Sequence, residues 1–196
     1  RTNSQSRSFE EAMRKMNIPY RIYGGLSFYQ RKEIKDIIAY FRLVSNPDDE
    51  EAFRRIINYP TRGIGNTTVL KIIESAARNV VSLWQVISNP VIFGLDVNKG
   101  TATKISGFKD LIQSFIDDAS NKDAYTLGNE IIRRSGISND IYSNSDQEGL
   151  SRQQNLQEFL SGMQDFVESR REEGQGENVL LSDFLQEVSL LTDLDS

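Results

Sequence analysis

Residues 28–47 read FYQRKEIKDIIAYFRLVSNP. Ile34, Ile37, Ile38, Phe41 and Leu43 recur at helical spacing and line one side of a long helix. Asn46-Pro47-Asp48-Asp49 breaks it, because a proline cannot sit inside a helix and an aspartate can start a new one. Phe53, Ile56 and Ile57 make a second amphipathic helix, closed by Tyr59-Pro60. A helical period in this stretch sets the reading of the whole chain, since the same period returns repeatedly downstream.

Downstream, Thr61-Arg62-Gly63-Ile64-Gly65-Asn66-Thr67-Thr68 is a tight turn feeding a helix through Val69, Leu70, Ile72 and Ile73. A helix over SLWQVIS runs to Pro90. Asn89–Gly100, rich in Gly, Pro and Asn, reads as a connector and as the candidate domain boundary. Helical stripes follow: Ile105, Phe108, Leu111, Ile112 and Phe115; then Leu127, Ile131 and Ile132; then Leu156, Phe159, Leu160, Met163, Phe166 and Val167. Polar stretches at 139–149 and 170–178 read as loops, and Leu180–Leu191 reads as a last helix. Upstream, Phe9, Met13 and Met16 have helical spacing, and Tyr20-Arg21-Ile22-Tyr23 alternates like a strand before Gly24-Gly25. A strand there is half of an α/β layer whose partner strands are not in the chain.

The 196 residues include no cysteine and no histidine. Disulfides, Cys/His zinc sites and Ser-His-Asp or Cys-His catalysis are therefore excluded. The hydrophobic fraction of 38% is low but supports a core, with 18 aromatics (10 Phe, 7 Tyr, 1 Trp) spread along the chain. No apolar run approaches the ~20 residues of a membrane span, and RTNSQSR does not open a signal peptide. A first residue of Arg1 points to a segment of a longer protein. Residues 1–62 carry 12 basic and 8 acidic side chains, whereas 63–196 carry 11 basic and 20 acidic. A net charge of -5 makes a poor generic nucleic-acid binder. Any nucleic-acid contact would have to be local.

Neither G-x-x-x-x-G-K-[ST] nor G-x-G-x-x-G occurs. Asp48-Asp49-Glu50-Glu51 reads as a helix cap favoured by the helix dipole rather than as a metal site. Arg62-Gly63-Ile64-Gly65 before a helix allows a tight backbone turn whose amides face a phosphate, with Arg62 adding charge and Thr67 and Thr68 adding hydroxyls. The same geometry also serves simply to begin a helix. Ser135-Gly136-Ile137-Ser138 is a weaker version with the same two readings. Phe28 to Lys35 interleaves aromatics with bases, which suits either strand stacking or an ordinary helix with aromatics in the core and charges in solvent.

Together, RTNSQSR at the start, IPYRIYGGLSFYQRKEIKDIIAYFRLVSNPDDEEAFRRIINYPTRGIG at 18–65 and LSDFLQEVSLLTDLD at the end resemble superfamily 1 DNA helicases of the UvrD/PcrA/Rep type. The resemblance is strong over residues 1–65 and rests on helical order from about 90 to 180. It implies a mainly α fold: a helical insertion domain joined to a partial RecA-like α/β segment with one or two short strands. Residues 1–90 would begin the second motor domain, 2A, and 91–196 would be its helical insertion, 2B. The family's phosphate loop and Mg-binding acidic motif would lie upstream, and further motor motifs downstream.

The resemblance also implies roles. Arg1 matches the arginine that reaches the γ-phosphate of ATP and stabilises charge during phosphoryl transfer. Gln5 and Arg7 share that motif in structural roles. Phe28, Arg31 and Lys35 fall near the single-strand track. Arg62, Gly63, Gly65 and Thr67 match a phosphate-facing hairpin, Gly136, Ile137 and Ser138 match a related one, and Lys99 and Gly100 form a looser third. ATP and Mg2+ are implied for the parent protein, with none expected on this chain alone. The implied partners are DNA, as single strand and duplex junction, the rest of the helicase chain and repair proteins. No membrane is implied, and the location is cytoplasmic. The rival expectation is a non-catalytic helical interaction or autoinhibitory module, which the acidic later part of the chain favours.

Overall fold

The computed structural model describes residues 26–174 and 178–193. Every regular element among the described residues is an α-helix. The mainly α expectation fits, but the partial RecA-like α/β segment does not: no strand occurs among the described residues. The strand expected at Tyr20–Tyr23 and the helix carrying Phe9, Met13 and Met16 lie outside them. From Leu26 onward apolar residues recur every three to four positions, a period that a strand cannot place on one face.

The chain divides into two compact units. Ala39–Asp117 form one, and the described residues up to Ile38 together with those from Asp118 onward form the other. In the latter, α1 (Leu26–Tyr29) is a single turn, and α2 (Lys32–Ser45) begins after a break at Gln30-Arg31. The long helix expected from the sequence is thus two pieces. The first half of α2 buries more than one stripe. Ile34 and Ile37 are inaccessible, and Glu33 and Asp36 are buried with them. A buried carboxylate needs a partner, and both have one. Asn155 Nδ2 donates to Glu33 at 2.8 Å, and Lys32 Nζ to Asp36 at 3.0 Å.

The same unit contains α7 (Ala124–Arg134), α8 (Ile137–Tyr142), α9 (Gln147–Glu172) and α10 (Leu181–Asp193). Asp123 caps α7 by accepting from Thr126 N at 2.7 Å, and Asp146 caps α9 by accepting from Gly149 N at 2.7 Å. Gly149 must be glycine, because a Cβ there would lie 2.1 Å from the Asn144 carbonyl oxygen. Phe184 of α10 meets Phe159 and Phe166 of α9 edge-on, at 5.8 and 5.5 Å between centroids. The loop expected from Arg170 begins later than the sequence suggests, since α9 runs to Glu172. Arg170 pairs with Glu187 and lies 4.9 Å from the Phe166 ring centroid, and these contacts hold the last turns helical.

In the other unit, the second half of α2 is followed by α3 (Glu50–Ile56), α4 (Asn66–Asn79), α5 (Leu83–Ser88) and α6 (Lys99–Asp118). Asp49 accepts from Ala52 N at 3.0 Å, so the acidic run does begin a helix. Ser82 and Gln85 form a reciprocal cap on α5. The core joins Tyr40 and Phe41 of α2 to Phe53, Ile72, Val86, Ile105, Phe108 and Phe115, with Phe53 edge-on to Phe108 at 5.9 Å. Residues 89–100 lie inside this unit and are tied to α4. Ser75 Oγ and Asn79 Nδ2 donate to the Phe93 carbonyl, and Lys71 Nζ donates to that of Asp96. No helix among the described residues is long and apolar enough to cross a membrane.

Candidate nucleic-acid interface

The segment between α3 and α4 is built by an alternation. Arg62 and Ile64 turn inward, while Gly63 and Gly65 face solvent. Ile64 is fully buried and anchors the loop. Asn58 Oδ1 accepts from the backbone N–H of both Arg62 and Ile64, each at 3.0 Å. Two amides that would otherwise lack partners are thereby satisfied, and the loop path is fixed.

Arg62 closes the end of α3. The last carbonyls of a helix have no partner within it and carry its negative dipole end. Nη1 of Arg62 donates to the carbonyls of Ile56 and Ile57 at 2.8 Å each, with the Tyr59 carbonyl at 3.5 Å. Nη2 donates to the Tyr40 hydroxyl at 2.6 Å, and that hydroxyl donates on to the Tyr59 carbonyl. The guanidinium carbon also lies 4.9 Å from the centroid of Phe108, a favourable cation–π placement. The charge expected to face a phosphate is therefore committed inside the fold.

Gly63 has φ +81°, a conformation that L side chains rarely adopt. A Cβ there would also meet Lys104 of α6, whose Nζ would be 2.8 Å away. Gly65 begins α4 at φ −82° and ψ 179°, with no side-chain cap. A Cβ on it would meet nothing within 4 Å. On one side of the turn a groove of about 550 Å³ is lined by Arg54, Arg55, Asn58 and Asn66 among others.

Of the sequence candidates, Gly63, Gly65 and Thr67 are exposed together, with Thr67 in the first turn of α4, while Arg62 is half-buried and turned inward between them. Lys99 and Gly100 lie exposed at the start of α6, where Asn98 Oδ1 accepts from Thr101 N at 2.8 Å. They share that helix with Lys104. In the other unit, Phe28 is buried edge-on to Tyr29 at 5.6 Å, while Arg31 and Lys35 are exposed one turn apart. Gly136 has φ +96° before the six-residue α8. Ile137 is fully buried, and its N–H donates to Ser135 Oγ at 3.3 Å. Its side chain is thus a core anchor, like Ile64, and Ser138 beside it is half-buried. Arg1 lies outside the described residues. Among the described residues no carboxylate cluster is placed to hold a metal ion, so no step through a nucleotide-bound Mg2+ is derived from them.

The sequence reading missed Lys104, Arg54 and Arg55. Arg54 and Arg55 read locally as dipole partners in the last turn of α3. Lys104 precedes Phe108 by four residues and so shares its helix face. That spacing is the available signal, and it gains meaning only once Phe108 packs against Arg62.

The family model for the UvrD-like helicase C-terminal domain matches residues 1–196. The chain is 35% identical over 195 residues to the ATP-dependent DNA helicase PcrA of Staphylococcus aureus strain Mu50, and 36% identical to that of Staphylococcus epidermidis strain ATCC 12228. Each match covers all of this chain and 26% of the relative, so the chain spans about a quarter of the length of these proteins.

Proposed function

The chain belongs to the UvrD-like helicase C-terminal domain family, and from that premise we propose that it is part of an ATP-dependent DNA helicase translocating 3′ to 5′, with the Gly63–Gly65 turn a surface that meets the DNA backbone. The observation that carries the reading is the alternation in Arg62-Gly63-Ile64-Gly65. Half-buried Arg62 and fully buried Ile64 hold two glycines at the surface, where Gly65 leaves the backbone open to a phosphate and the Lys104 chain passes over Gly63. Relatives named as DNA helicases, of whose length this chain spans 26%, supply nucleic acid as the ligand class.

In this reading the helices from α1 onward form the helical insertion of the second motor domain. We begin it before residue 91, because Glu33 and Asn155 hold the first half of α2 among the later helices. Arg1 is the arginine that reaches the ATP cleft. ATP and Mg2+, bound by the rest of the helicase in the cytoplasm, supply the phosphoryl-transfer chemistry. This chain contributes charge stabilisation and grip, and alone it turns over no ATP.

Fluorescence anisotropy with the 196-residue chain and a labelled duplex–single-strand junction tests the reading. Salt-sensitive binding with background ATPase is the expected result. Absence of binding at low salt would favour an interaction module, and robust ATP turnover would overturn the proposal. In the full-length helicase, Arg1→Ala should remove most ATPase and leave DNA affinity nearly intact. A retained rate would remove Arg1 from the cleft.

A further inference from the structure

Lys104 and Arg62 are two cations at the turn, and they are used differently. Arg62 donates to three backbone carbonyls and the Tyr40 hydroxyl and stacks on Phe108, with its charge at the negative end of α3. Nη1 and one Nη2 hydrogen are thereby used within the fold, which fixes the guanidinium in place. Lys104 is exposed, and among the described residues it forms no ion pair. Its chain passes over Gly63 closely enough that Cδ and Cε would each lie 3.2 Å from a Cβ placed there. The ammonium thus lies over the backbone of the turn, on the helix face that carries Phe108 beneath Arg62.

Gly65 adds an independent observation. Its backbone is in an ordinary region and its Cβ direction is open. Serine or aspartate would start α4 better than glycine. Nothing in the chain's own packing requires a bare backbone at this position, whereas a ligand lying against the turn does.

We propose that Lys104, and not Arg62, carries the turn's positive charge to a DNA phosphate, and that Arg62 is a positioning residue that sets the shape of Gly63–Gly65. This rests on the reading of the turn as a DNA-facing surface. A flexible ammonium suits a phosphate contact without base readout, because it acts as a point charge free of a fixed hydrogen-bonding geometry.

Duplex binding by the 196-residue chain is measured across a salt series for wild type, Lys104→Gln, Lys104→Arg and Arg62→Lys, with urea unfolding of each. Neutralising one phosphate contact lowers the slope of log K against log salt by about 0.9. Lys104→Gln should lower it by that amount with an unchanged urea midpoint, and Lys104→Arg should restore it. Arg62→Lys should lower the urea midpoint and weaken binding while keeping the wild-type slope. An unchanged slope in Lys104→Gln, with salt-sensitive binding by wild type, overturns the assignment and leaves the DNA-facing turn standing. No salt-sensitive binding by wild type overturns both.

Discussion

Arg62 Nη2 donates to the hydroxyl of Tyr40 at 2.6 Å, and that hydroxyl donates to the Tyr59 carbonyl. A helix interior 22 residues upstream thus positions the loop that carries the candidate site. Tyr40→Phe keeps the ring and deletes both bonds. The expected cost is about 1–3 kcal/mol, because a guanidinium N–H and a carbonyl lose partners in a part-buried setting. Arg62→Lys should cost about 3 kcal/mol, since a lysine cannot reach the Ile56 and Ile57 carbonyls and Tyr40 together. Urea unfolding of both variants checks this order, and a Tyr40→Phe loss larger than that of Arg62→Lys would contradict it.

Glu33 is a buried carboxylate whose bond to Asn155 spans 122 residues. Removing the amide strands a charge, whereas removing the charge leaves two neutral groups that still hydrogen-bond. Asn155→Leu should therefore destabilise by about 1–3 kcal/mol, and Glu33→Gln by clearly less. Equal losses in urea unfolding would mean that the carboxylate is better solvated than its burial indicates.

The helical stripes were legible because burial follows a period that sequence displays. Ile34, Phe41, Ile105, Phe115 and Phe159 are all buried as their spacing requires. The break at Gln30-Arg31 was not legible, since nothing at those positions is a strong breaker. The burial of Glu33 was hidden for another reason: its partner lies on α9, far along the chain. The bare turn was legible as Arg62-Gly63-Ile64-Gly65, but the direction of Arg62 was not. An arginine beside glycines reads as free until the open end of α3 is seen to need it. Lys104 stayed hidden because its role depends on how α6 packs, and no local pattern encodes that.

Lys122 bridges Glu130 at 2.7 Å and Asp118 at 3.2 Å. The hydrogen bonds to Glu130 and then Asp118 hold its ammonium above the ordinary value of 10.5. A raised value in the folded state stabilises it fully below 10.5, and that contribution fades as pH climbs through the folded value. The gap in urea midpoint between wild type and Lys122→Met should be constant between about pH 7 and pH 10 and shrink above it. High salt should narrow it throughout, because the pair is accessible to solvent. A gap that widens in alkali would reverse the sign of this linkage.

The two glycines of the turn should respond in opposite ways. Gly63 sits at φ +81°, so Gly63→Ala strains the backbone by about 1–2 kcal/mol whatever Lys104 does. Gly65 has an ordinary backbone and open space around its Cβ direction, and serine there can accept from an amide in the first turn of α4. Gly65→Ser should leave the urea midpoint unchanged or raise it by a few tenths of a kcal/mol. It should nonetheless weaken duplex binding, because its hydroxymethyl group occupies the face where a phosphate would lie. Stability and affinity moving apart at one residue would mark Gly65 as kept bare for a ligand. If affinity follows stability upward, the glycine serves only to begin the helix.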